Sequence, residues 1–116
     1  RLYVVGGMED DECPLNSAEV FDPAAGLWRT LARMSVGRAR HTASTIDGRL
    51  YVIGGDNTDA GRVVEEDARP LSTVECFDPI AGSWQMLAPM SAGRTRHTAS
   101  VVGGRIYVLG GTIKSL

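Results

Sequence analysis

Cysteine and histidine are scarce in this chain, with two of each in 116 residues. Cys13 lies in a polar stretch and Cys76 in an apolar one, and neither belongs to a paired framework or a metal-ligand spacing. With no N-x-S/T sequon present, a reducing, cytoplasmic setting is expected. His41 and His97 have no further His, Cys or carboxylate at ligand spacing, so a structural role is expected rather than a metal centre. Excess charge is lacking too: 12 Lys and Arg stand against 14 Asp and Glu, a net charge of -2. That balance argues against nucleic acid, whose binders carry a clear basic excess. No apolar run approaches the length of a bilayer span, and the first residues are strand-like rather than a basic leader, so no membrane role is expected. No 3.6-residue apolar stripe runs along the chain, which disfavours helix. The glycine pairs are not followed by a helix start and Lys-Ser/Thr, so they form no phosphate cradle, and no Ser-His-Asp set with a strained nucleophile turn is present. The expectation is a protein that is not an enzyme and holds no cofactor.

What is present is repetition. RLYVVGG at Arg1 to Gly7, RLYVIGG at Arg49 to Gly55 and RIYVLGG at Arg105 to Gly111 are three apolar strands, each closing on a glycine pair. The block from Phe21 to Gly55 recurs 56 residues later as Phe77 to Gly111, with 23 of 35 positions identical. A period near 50 residues points to an all-β propeller with one four-stranded antiparallel blade per repeat. Residues kept in several copies are first suspected of holding the blade together, and those that differ are where function is sought.

Four strands per repeat are predicted, A to D in chain order. Strand A covers His41 to Ile46 and His97 to Val102. Its links Asp47-Gly48 and Gly103-Gly104 suit a tight hairpin whose central residues both need positive φ. Strand B is the glycine-ended element, apolar at consecutive positions as a strand buried on both faces should be. Strand C covers Ala18 to Phe21 and Val74 to Phe77 and ends at Asp-Pro, where proline offers no ladder N–H. Strand D covers Leu27 to Leu31 and Ser83 to Leu87. The small residues Thr42, Ala43 and Ser44 suit the crowded innermost position, and Trp28 and Trp84 on the outermost strand are expected to cover apolar surface between blades. This divides the chain into strands B-C-D over 1–31, one complete blade over 41–87, and strands A-B over 97–111. Repeats bury their apolar faces against neighbours, so the isolated segment is expected to aggregate or oligomerise.

The glycine pair after strand B, its tyrosine, the Glu-x-Phe-Asp-Pro of strand C, the Gly-x-Trp of strand D and the Met-x-x-x-Arg-x-x-His before strand A together resemble the kelch repeat. The resemblance runs the length of the chain and is greatest to the BTB-kelch proteins. It implies a propeller of about six blades that binds other proteins.

In such a meander the B-C and D-A loops share one side of the sheet. The D-A loops carry Arg33, Arg38, Arg40, Arg94 and Arg96. The B-C loops carry Glu9, Asp10, Asp11, Glu12, Asp56, Asp59, Glu65, Glu66 and Asp67, and the second of them is longer, 56–72 against 8–17. Loops of this kind on a rigid scaffold are the usual place for recognition. Arginine suits acidic motifs, because its planar fork holds a carboxylate or phosphate through two parallel bonds. Matched to the peptide-binding members of the family, the resemblance points to Arg40, Arg96, Ala39, Thr95, Met8, Asp10, Asp56 and Thr58. Arg38 and Arg94 are included with a second reading, in which they bind backbone carbonyls between blades. The expected role is binding a partner protein or peptide, acidic in character, as the substrate-recognition part of a cullin-type ubiquitin ligase adaptor. Two alternatives stand beside it: an actin-binding cytoskeletal scaffold, or part of a propeller enzyme of the sugar oxidase or sialic acid mutarotase type.

Overall fold

The computed structural model describes residues 1–9, 13–58 and 70–113. Among them there are nine strands and no helix: β1 Leu2–Val5, β2 Ala18–Asp22, β3 Leu27–Thr30, β4 Thr42–Ile46, β5 Arg49–Ile53, β6 Val74–Asp78, β7 Ser83–Leu87, β8 Thr98–Val102 and β9 Arg105–Leu109. They form three antiparallel sheets in the orders β1-β2-β3, β4-β5-β6-β7 and β8-β9. Successive antiparallel sheets, one of them four-stranded, are the arrangement expected of β-propeller blades. Asp47 and Gly48, with φ of 50° and 79°, make the tight turn between β4 and β5. The Asp22 and Asp78 carboxylates cap the turns after strand C, accepting from the amides of Ala24 at 3.0 Å and Ile80 at 2.9 Å.

The predicted limits of strand A are corrected by one residue at the start. β4 and β8 begin at Thr42 and Thr98, because Arg40 and Arg96 take positive φ and turn the chain before the ladder forms. Strand C reaches one residue further, to Asp22 and Asp78, and the first strand D ends at Thr30.

The core is the seam between the first and second sheets. Val5 and Ala18 from one side meet Leu50, Val52 and Phe77 from the other, with Met34 of the intervening loop buried among them. Burying side chains of this size stabilises the fold by about 1.5–3 kcal/mol each. In β5, Leu50, Val52 and Ile53 are all buried, which explains the unbroken apolar run. Phe77 lies 6.5 Å from Tyr3, edge to face, and 5.2 Å from Trp84. Trp84 donates its indole N–H to the Ala32 carbonyl of the preceding D-A loop at 2.7 Å, so it does bridge neighbouring repeats. β4 packs beside β8, which makes strand A the innermost.

Each D-A loop runs along the preceding B-C loop. Leu31, Met34 and Arg38 donate backbone bonds to Ala18, Asn16 and Leu15, and the Arg38 carbonyl accepts from Gly7 at 2.7 Å. One repeat later Met90 and Arg94 donate to Ser72 and Leu71, and Gly55 donates to Arg94 at 2.8 Å. This ladder brings both loop types to one rim.

The histidines line these contacts between repeats, His41 between the first and second and His97 between the second and third. His41 Nε2 lies 2.8 Å from the Val5 carbonyl, so that nitrogen carries the proton, while Nδ1 of both His41 and His97 is buried without a partner among the described residues. Burial pushes both pKa values below the usual imidazole value, and it is aided by the positive charge of Arg38 beside His41 and of Arg94 beside His97. The unfolded chain therefore binds protons that the folded one refuses. The stabilisation from neutral histidines is complete above the unfolded pKa, about 6.5, and is lost as pH falls toward the lower folded values. The melting temperature of the intact protein should be flat just above neutrality and fall through this window. His41→Gln with His97→Gln should flatten that slope.

Candidate functional site

Arg38 is wholly buried, and all five of its N–H donors are used. Nε and Nη2 reach Glu75 Oε2 at 3.3 and 2.9 Å, Nη1 reaches the carbonyls of Gly54 and Thr73 at 3.0 Å each, and Nη2 also reaches Thr73 Oγ1 at 2.8 Å. The other Glu75 oxygen accepts from the Ser35 amide and hydroxyl, both at 2.9 Å. Arg38 therefore locks its loop to the second sheet, and of its two readings the contact with backbone carbonyls is the one that a side chain of 0% exposure leaves room for. Arg94 repeats the contact to the glycine carbonyl, from Nη1 to Gly110 at 2.9 Å, and is half-buried.

Two residues further on, Arg40 and Arg96 have φ of 55° and 59°, a left-handed conformation that costs a non-glycine residue about 1–2 kcal/mol. Short bridges hold it in place. Ala39 and Asp56 exchange backbone bonds at 2.9 Å each, Thr95 and Thr112 do so at 3.1 and 2.8 Å, and the Arg96 amide donates to the Arg40 carbonyl at 3.0 Å. Strain held by surrounding structure is a pointer to function. Both arginines are consequently rigid at the backbone and adjacent on one rim.

Their side chains differ. Arg40 places Nε 2.7 Å from Asp56 Oδ2, with Nη2 on Oδ1, while Nη1 lies 3.6 Å from the Met8 sulfur. Asp56 also accepts from Thr95 Oγ1 at 2.6 Å and from the Thr58 amide at 3.2 Å. Burial opposes ionisation of Asp56, but the bonds from Arg40, Thr95 and Thr58 outweigh it and hold its pKa below the usual carboxylate value. The same bond to Asp56 raises the Arg40 pKa, against a smaller effect of burial. Arg96 is exposed, and its guanidinium has no partner among the described residues.

The structure thus brings Arg40, Asp56, Thr95, Thr58 and Met8 together and sets Arg96 beside them. Ala39, Asp56, Thr58 and Thr95 are buried, so they shape the rim rather than offer side chains to a visitor. Asp10 lies outside the described residues, as do Asp11, Glu12, Asp59, Glu65, Glu66 and Asp67. Sequence reasoning assigned no partner to Glu75 and did not pair Arg40 with Asp56. The only signal for the second was that Thr112 replaces Asp56 in the next copy. Among the described residues no three His, Cys, Asp or Glu gather as a metal site, and no helix is long and apolar enough to cross a membrane.

The family model for the Kelch motif matches residues 1–35, 37–91 and 93–116. The chain belongs to the kelch-repeat family. Its kelch repeats are 34% identical over 114 residues to Kelch repeat and BTB domain-containing protein 12 of Danio rerio, covering 96% of this chain and 18% of that protein. They are 33% identical to Kelch-like ECH-associated protein 1B of Danio rerio, again over 96% of this chain and 18% of that protein. Identity to Kelch-like protein 25 of Homo sapiens is 30%, over 97% of this chain and 19% of that protein. The chain thus spans about a fifth of the length of these relatives. Among solved structures, that of YjhT superposes with a TM-score of 0.71 at 26% identity, over 92% of this chain and 33% of that one.

Proposed function

We propose that this kelch segment is a non-enzymatic protein-interaction surface whose B-C and D-A rim binds a partner peptide carrying carboxylate or phosphate groups. The observation that carries it is Arg96: an exposed guanidinium, on a backbone fixed in a strained conformation, with no partner among the described residues. A planar fork held in this way forms paired charge-assisted bonds with an anionic group at small cost in ordering. The low cysteine content, two in 116 residues, is compatible with a reducing, cytoplasmic setting. The name of one relative, which joins kelch repeats to a BTB domain, supports reading the intact protein as the substrate-recognition part of a cullin-type ubiquitin ligase adaptor. Binding of the intact protein to a purified cullin tests that part.

The rim is tested with a fluorescein-labelled hexaglutamate peptide, with hexaglutamine as the neutral control. Arg96→Ala should weaken hexaglutamate binding about tenfold, the value of one partly exposed charge-assisted bond, while the melting temperature stays unchanged. Equal binding of the two peptides, or a variant that binds hexaglutamate as the wild type does, rejects the rim.

A further inference from the structure

Arg40 and Arg96 occupy equivalent positions in successive repeats, with the same left-handed backbone, and the residue before each, Ala39 or Thr95, bridges to the residue after the glycine pair. That bridging residue is Asp56 in one repeat and Thr112 in the next. We propose that Asp56 sets the anion selectivity of the rim by keeping the Arg40 fork closed, so that Arg96 is the cation left open to a ligand. The proposal rests on the rim being the binding surface.

Geometry supports it in three ways. Asp56 takes both the Nε and the Nη2 of Arg40, which is the pair of donors a ligand carboxylate would need. The Asp56 side chain is 4% exposed and that of Arg40 29%, so a ligand reaching the arginine would strand a buried carboxylate, a costly outcome. The carboxylate is also saturated: Oδ2 accepts from Arg40 Nε and Thr95 Oγ1, Oδ1 from Arg40 Nη2 and the Thr58 amide. Those four bonds fill its lone-pair capacity, so Asp56 has nothing left to offer a visitor and acts only on Arg40. Thr112 brings no carboxylate to Arg96. The Thr95 bond also ties the closed fork to the loop that carries the open one, which fixes the spacing of the two arginines.

A residue swap tests this in the intact protein with labelled hexaglutamate as the probe. Asp56→Thr gives the first repeat the residue of the second, and should raise affinity about tenfold by freeing one fork. Thr112→Asp should close Arg96 and lower affinity by a similar factor. Adding Arg40→Ala to Asp56→Thr should return affinity to the wild-type value, a reversal that a general loosening of the rim would not produce. Asp56→Asn keeps one acceptor oxygen for the Thr58 amide and an N–H that can donate to Thr95 Oγ1, without the charge, and gives the reading if the threonine variant melts early. Unchanged affinity in both Asp56 variants, with Arg96→Ala still weakening the wild type, overturns the gate and leaves the binding rim standing. Loss of the hexaglutamate preference in every variant, wild type included, overturns both.

Discussion

Arg38→Ala should destabilise the intact protein by about 3–5 kcal/mol, the cost of breaking a buried ion pair from one side, read as a fall in the urea midpoint. The carboxylate of Glu75, 1% exposed, would be left charged without its partner. Arg38→Lys should not rescue it. An ammonium has three donors to set against five acceptor contacts, and its point charge cannot span Glu75 and two carbonyls lying in different directions. The more telling variant is the double replacement Arg38→Met with Glu75→Leu. Buried ion pairs are often exchanged for apolar groups at little cost, but here the Gly54 carbonyl would lose its partner and the Thr73 carbonyl would keep only the Gly54 amide. Each buried polar group left unsatisfied costs about 1–3 kcal/mol. The double variant should therefore remain well below the wild type, which distinguishes a backbone anchor from a simple charge pair.

That anchor also marks where sequence reading stops. The strands were legible because each is bounded by a local signal: the Asp-Gly and Gly-Gly hairpin links, the Asp-Pro stops, and the unbroken apolar run of strand B. The role of Arg38 was left with two readings, since its acceptors lie 16, 35 and 37 residues further along the chain. Glu75 sits in a strand without any local mark of burial. Repetition helped where both copies do the same thing, as at Arg38 and Arg94, and it failed to say which of those shared features were buried. The difference between copies, Asp56 against Thr112, was visible as two letters, but its meaning required knowing that both letters bridge to the loop carrying an arginine. The positive φ of Arg40 and Arg96 had no sequence signature at all, because arginine is not a residue that favours it.

The junction of the second repeat with the third gives the other large effect. Gly54→Ala should cost about 2–5 kcal/mol, combining left-handed strain of about 1–2 kcal/mol with overpacking of about 1–3. Gly54 has φ of 62°, and an added Cβ would stand 2.6 Å from the Arg94 carbonyl oxygen and 2.8 Å from His97 Cε1. The carbonyl cannot give way easily, because it accepts from Gly55 at 2.8 Å in the bond that joins the second repeat to the third. Two controls separate the contributions. At Gly48, φ is 79° but nothing lies within 4 Å of the added Cβ, so Gly48→Ala should show the strain alone. At Gly37 no left-handed conformation is involved, yet the added Cβ would collide with the Pro14 carbonyl oxygen, so Gly37→Ala should show crowding alone. If Gly54→Ala is no worse than Gly48→Ala, repeats are not held at this close backbone contact. If its cost approaches the sum of the two controls, the doubled glycine is there to let one repeat lie directly against the next, and the rim that carries Arg40 and Arg96 is rigid for that reason.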